Sequence, residues 1–252
     1  TGASFGTRED SGREIVVRQS SLLGLNVTRK VSVPTDGYFA RFLEVLQNPG
    51  SSPVTVDVNV TSQPYGQTTA FCCVFGENQY FVGTTSSGDN VLDASTPATA
   101  DQWASLVVSG QASYYNGNSG TPLGFVFSGP GAMTPASTAS FSYVQSVPTV
   151  KYGWNSITVP AGGEVVLMHF VSEQANNSAA AASSQRLVQL PPEALTGLSA
   201  AELAEVANFA MPANGVSTVA PLPSVAGVIN GRVLEGDNAT PVPGALVTFR
   251  SS

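Results

Sequence analysis

Residues 54–60 read Val-Thr-Val-Asp-Val-Asn-Val, with Val54, Val56, Val58 and Val60 on one parity and Thr55, Asp57 and Asn59 on the other. Successive side chains of a strand point to opposite faces, so this stretch predicts a strand with one face in a core and the other in water. Upstream, residues 22–33 repeat the pattern, with Leu23, Leu25, Val27, Val31 and Val33 alternating against Asn26, Thr28, Lys30 and Ser32. Between the two, residues 38–46 are apolar on both parities apart from Arg41 and Glu44, as a central strand covered on both faces would be. Asn48, Pro49 and Gly50 supply the turn that follows. Further short strands are expected at 71–74, 79–82, 103–108, 123–127, 141–144, 151–159 and 164–171, separated by Gly, Ser, Asn and Pro. The fold class this predicts is mainly β, an antiparallel β-sandwich spanning residues 1–173.

The pattern changes after Glu173. Residues 174–190 are rich in Ala, the strongest helix former, and end at Pro191 and Pro192. Ser199 and Glu202 have capping-box spacing ahead of Leu203, Val206 and Phe209, a second helical face. A helical segment, 174–210, is therefore expected to pack on the sandwich. Residues 211–224 carry Pro and small residues without periodicity and read as a linker. A new β-rich unit, 225–252, closes the chain as a terminal hairpin.

Composition narrows the function. Of the 252 residues 11% are charged, with ten Lys and Arg against seventeen Asp and Glu and a net charge of -7. Globular chains carry about 25% charged residues, and nothing here builds the basic surface that tracks phosphates, so a nucleic-acid partner is excluded. No apolar run approaches the ~20 residues of a membrane-spanning helix. One His and two adjacent Cys cannot supply the three or four N and S ligands of a zinc or iron site. No cofactor is expected, with calcium the one metal that the oxygen-rich turns at 87–90, 116–118 and 235–238 would suit, although none has the spacing of a calcium loop.

The segment from Val225, VAGVINGRVLEGDNATPVPGALVTFRSS, resembles the opening strands of the carboxypeptidase-regulatory-like, Ig-type domains of large secreted bacterial proteins. The likeness lies in Gly231-Arg232-Val233, a turn through 236–241, then Pro243-Gly244-Ala245 and Val247. It implies that the chain stops within such a domain. The stretches at 24–34, 37–49, 54–60 and 157–170 resemble β-supersandwich modules that precede these domains in long bacterial surface or exported proteins. This second likeness implies architecture only; the low charge, the many Thr, Ser, Asn and Gly, the dense strands, the lack of a catalytic motif and the Ig-type start point to a structural or assembly module of a secreted or cell-surface (extracellular) protein, with filament and adhesion roles among those expected. Val228, Val233, Ala245 and Val247 would be the strand residues through which a protein partner or a second copy is joined by strand addition. Thr1 opens a polar stretch without the apolar core of a signal peptide, so export would require a leader already removed or a longer parent chain.

Candidate sites follow from the residues. His169, in a strand-like run, lacks the Ser or Cys nucleophile motif that a general base would serve, and reads as a buried hydrogen-bonded residue. Cys72 and Cys73 should face opposite sides of a strand. Tyr114 and Tyr115, beside the loop at 116–120, and Trp154 form the expected sugar-stacking set. Glu44, Asp57, Asp89, Asp101 and Glu164 are the carboxylates from which a glycosidase pair would have to be drawn, and no spacing pairs them. The reading favoured is a structural or assembly module without catalytic activity. A carbohydrate-binding module is the alternative, and a carbohydrate-active enzyme the third class.

Overall fold

The structure is a computed structural model that describes residues 4–35, 38–64, 79–96, 100–109, 121–144 and 147–222, together with residues 233, 240 and 242. Its strands are β1 (Ser4–Glu9), β2 (Glu14–Leu22), β3 (Leu25–Ser32), β4 (Phe39–Gln47), β5 (Val54–Ser62), β6 (Gln79–Thr85), β7 (Trp103–Ser109), β8 (Leu123–Val126), β9 (Thr138–Val144), β10 (Val147–Val159) and β11 (Glu164–Glu173). Three helices follow, α1 (Asn177–Leu187), α2 (Pro192–Leu195) and α3 (Ala200–Glu205). Eight strands form one antiparallel sheet in the order β1-β2-β3-β4-β11-β8-β7-β6, and β5-β10-β9 form a second. The mainly β sandwich with short helices is thus the architecture expected. The expected strand at 71–74 lies outside the described residues.

The large sheet buries both faces, which explains why β4 is apolar on both parities. One face carries Leu46, Phe125 and Leu167 against Val150, Tyr152 and Trp154 of the small sheet. The other carries Phe39, Leu43, Val166, Met168 and Phe170 against Leu187, Leu195 and Phe209 of the helical layer. On β5, Val60 is buried, and Val54, Val56 and Val58 are half-buried against the same inter-sheet cluster. β10 keeps its apolar side inward by a bulge: the register shifts between Trp154 and Ile157, so residues of opposite parity both face the core. Ser156 takes the strained position, with φ 56°, and its N–H donates to Asp57 Oδ1 at 2.8 Å.

Two strands precede those that alternation predicted. β1 and β2 stand at the edge of the large sheet, joined through Asp10, Ser11 and Gly12 at positive φ. On the face toward the small sheet, Ile15 is 52% and Val17 38% exposed. With little core to face, the hairpin carries charged and apolar residues on both parities.

The Ala-rich stretch folds as α1, starting at Asn176, whose side chain accepts the N–H of Ala179 at 2.9 Å. Small residues let it lie on the sheet. A Cβ at Gly124 on β8 would collide with the hydroxyls of Ser184 and Ser172, so only glycine permits this approach. The capping box forms at α3, where Ser199 Oγ accepts from Glu202 N and Glu202 Oε2 accepts from Ser199 N. The helical face expected through Phe209 breaks off, because Val206 leaves α3 to pair in parallel with Val166. Asn208, fully buried, then acts as a piece of strand: its Oδ1 accepts from Met168 N, and its Nδ2 donates to the carbonyls of Met168 and Phe127. Residues 211–222 have no regular structure, and Arg186 on α1 donates to the carbonyl of Ala220 at 2.9 Å. Among the described residues no helix is long and apolar enough to cross a membrane.

Replacing Asn208 by Leu leaves two carbonyls and one N–H of the buried backbone without partners, at about 1–3 kcal/mol each. The expected outcome is a loss of about 3 kcal/mol or more in urea unfolding, with Asn208→Asp at least as damaging at neutral pH because its buried carboxylate would face two carbonyls with no proton to donate. An unchanged midpoint would contradict the role given to this side chain.

Candidate functional site

At the centre of the sandwich the register brings four polar side chains onto one path. His169 on β11 is paired with Phe42 on β4, Glu44 lies two residues further along β4, and Arg29 on β3 is paired with Glu44. Tyr152 comes from the opposite sheet. Its hydroxyl is 2.8 Å from His169 Nδ1, and His169 Nε2 is 3.1 Å from Glu44 Oε1. Arg29 then donates from Nε to both carboxylate oxygens, at 2.8 and 3.1 Å. Tyr152, His169 and Glu44 are 1%, 2% and 5% exposed.

The partners fix the protons. A carboxylate can only accept, so Nε2 carries the imidazole proton and Nδ1 accepts from the tyrosine hydroxyl. Burial pushes the imidazolium form below its ordinary range, further than the hydrogen bond and charge of Glu44 pull it up. Burial also raises the Glu44 carboxyl, but the hydrogen bonds from His169 and Arg29 and their charges more than offset it, leaving it below the usual carboxylate value. Tyr152 is pushed well above an ordinary phenol by burial first and by Glu44 second. Phe42 stacks on His169, with ring centres 4.7 Å apart and planes at 7°.

Phe42 also lines a cleft of about 550 Å³ at the end of the sandwich where β5 runs out. Ala40, Val171 and Phe125, side by side on β4, β11 and β8, line its large-sheet side. Ser62, Gln63 and Pro64 bound it from the small sheet. Glu173, at the end of β11, is the one charged group among the described lining residues, and its Oε1 accepts from Thr121 Oγ1 at 2.6 Å. The cleft and the buried hydrogen-bond chain are therefore separated by one phenyl ring.

The residues expected to form sites fall as follows. Tyr114, Tyr115, Cys72, Cys73, Val228, Ala245 and Val247 lie outside the described residues. Trp154 requires correction as a ligand residue: its ring is fully buried against Tyr152 between the sheets, with no face for a ligand. Val233 is 41% exposed, and its carbonyl accepts from Val242 N at 2.9 Å. His169 is buried and hydrogen-bonded as expected. The carboxylates take separate duties. Asp57 holds the β10 bulge, Asp89 accepts from Thr85 and from Val91 N, and buried Asp101 accepts from Ser86, Ser87 N and Asp93 N. Among the described residues no three His, Cys, Asp or Glu side chains gather as a metal site. The cleft itself was missed, since its wall comes from the ends of strands far apart in sequence. Glu173 was visible only as the last residue before the helical segment.

No family model matches this chain, and no curated protein does. Solved structures are similar to it. A candidate aldose 1-epimerase from Klebsiella pneumoniae subsp. pneumoniae MGH 78578 is 10% identical over 70% of this chain and 55% of its own length, with a TM-score of 0.41. A heparinase III gene product is 11% identical over 69% of this chain and 22% of its own, with a TM-score of 0.35. The chain thus spans about half of the first and under a quarter of the second. Both are named as enzymes of sugar chemistry, which counts against the expectation that the chain is not an enzyme.

The buried pair makes a pH-dependent contribution of definite sign. Native His169 refuses a proton that the unfolded chain takes near its ordinary 6.5, so stability is full above that value and falls as pH drops below it. The slope approaches about 1.4 kcal/mol per pH unit. Glu44 adds a loss of the same sign below its ordinary 4.5. As the chain has one histidine, melting between about pH 7 and 5 isolates it. His169→Gln should flatten this window, and equal pH dependence in both proteins would contradict the assignment.

Proposed function

We propose that this chain is a carbohydrate-binding sandwich module of an exported or surface protein, with the cleft at the β5 end as its site. The observation that carries the proposal is the cleft: at about 550 Å³ it lies within the range of small-molecule sites, roughly 300–1,000 Å³, and its lining suits a sugar. Phe42 and Val171, both half-buried, offer apolar surface to a pyranose face, while Ser62, Gln63 and Glu173 can pair with the hydroxyl rim. Behind Phe42 the saturated hydrogen-bond chain holds the ring in place, so the cleft is largely preformed and binding need not order it.

A second reading, joining of a protein partner or a second copy through the terminal strands, is favoured by the Val242 N to Val233 carbonyl bond. That bond joins the residues on either side of the turn expected between those strands.

A panel of neutral, amino and acidic oligosaccharides, titrated by ligand-observed NMR, tests the main proposal. Binding in the wild type should weaken at least about tenfold, or 1.4 kcal/mol, in Ala40→Trp, which fills the cleft, and detectably in Gln63→Ala, an exposed change without structural cost. Binding unaffected by both substitutions, or no binding by any sugar, would refute it.

A further inference from the structure

The cleft has a sign. Among its described lining residues there is one carboxylate, Glu173, and no lysine or arginine. The carboxylate is positioned, since Thr121 Oγ1 donates to Oε1 at 2.6 Å. No cation among the described residues, Arg8, Arg41 and Lys151 included, lines the cleft. Arg29 is on Glu44, Lys30 on Glu202 and Glu14, Arg186 on Glu193, and Arg18 on Glu9. Arg13 reaches the backbone carbonyl of Val33, at the cleft, but is not part of the lining. The chain as a whole is acidic, at -7.

A carboxylate or sulfate entering this cleft would meet Glu173 with no cation among the described lining residues to offset it, Arg13 being held on the Val33 carbonyl, and would give up its hydration against an apolar wall. A protonated amine would find its counter-ion in place. A neutral sugar meets neither cost nor gain. Resting on the carbohydrate reading above, we infer that the cleft selects amino and neutral saccharides against uronic and sulfated ones, and that Glu173 is the residue that determines this specificity. The inference runs against the polyanionic sugars that a protein with basic clefts would select. It also gives a role to the one charge among the described lining residues.

The test uses the full chain and three matched β-1,4 disaccharides, of glucose, of glucosamine and of glucuronate, titrated at about pH 6 and low salt. The glucosamine dimer should bind at least about tenfold more tightly than the glucuronate dimer, with the glucose dimer between, and added salt should narrow the gap. In Glu173→Gln the three affinities should converge to within about threefold, with the glucose dimer least changed. Glucuronate binding as tightly as glucosamine, or a ratio that survives Glu173→Gln, would overturn the inference while leaving the carbohydrate reading intact. If none of the three binds while another saccharide does, this inference falls alone; if no saccharide binds, the carbohydrate reading falls with it.

Discussion

The hydrogen-bond chain from Tyr152 through His169 and Glu44 to Arg29 is the constraint on which the sandwich depends, because it crosses between the two sheets within a largely apolar core. Each buried member has a partner of the right kind, and removing one would strand the others without water. The imidazole is held from three sides: by a donor at Nδ1, an acceptor at Nε2 and the parallel ring of Phe42. This fixes how the small sheet sits on the large one, and it fixes Phe42. The wall of the cleft is therefore set by packing and hydrogen bonding inside the sandwich.

The other face of the large sheet is organised by closeness. Gly124 lets α1 approach β8, and Asn208 inserts its amide between β11 and the residue after β8, supplying the pairing of a strand with one side chain. With helices covering this face, β4 and β11 are sealed there. Among the described residues the small sheet has three strands against eight, and these three leave part of the inner face uncovered. Two regions are left: the β1–β2 overhang, with Ile15 and Val17 exposed, and the β5 end, where the cleft forms. The fold creates the opening through the mismatch in sheet width.

Legibility followed burial. The valines of β5 and the doubly apolar β4 could be read because a strand between two layers, or facing one, must show it in its alternation. The capping box of α3 could be read because Ser199 and Glu202 are adjacent in the chain. The β1–β2 hairpin could not, since with little core against it no period is imposed. Val206 and Phe209 continued the helical spacing but obeyed the sheet instead, where Val166 offered a backbone partner. The hydrogen-bond chain was half visible: His169 was expected to be buried and bonded, and Glu44 stood out as a charge in an apolar strand. Which partner each would find depended on β10 crossing over β11, a contact between sheets that alternation within a strand does not encode. Trp154 shows the same limit in reverse, since an aromatic that looks suited to a ligand is indistinguishable in sequence from one that fills the core.

The tautomer of the one histidine tests this account most directly, and nitrogen chemical shifts of its ring report it. The arrangement predicts a neutral imidazole with a proton on Nε2 and none on Nδ1, persisting without titration as the pH is lowered from about 7 to about 5.5. A ring protonated on both nitrogens at neutral pH, a proton on Nδ1, or a titration centred near 6.5 like that of a solvated histidine would contradict the bridge between the sheets and the positioning of the cleft built on it.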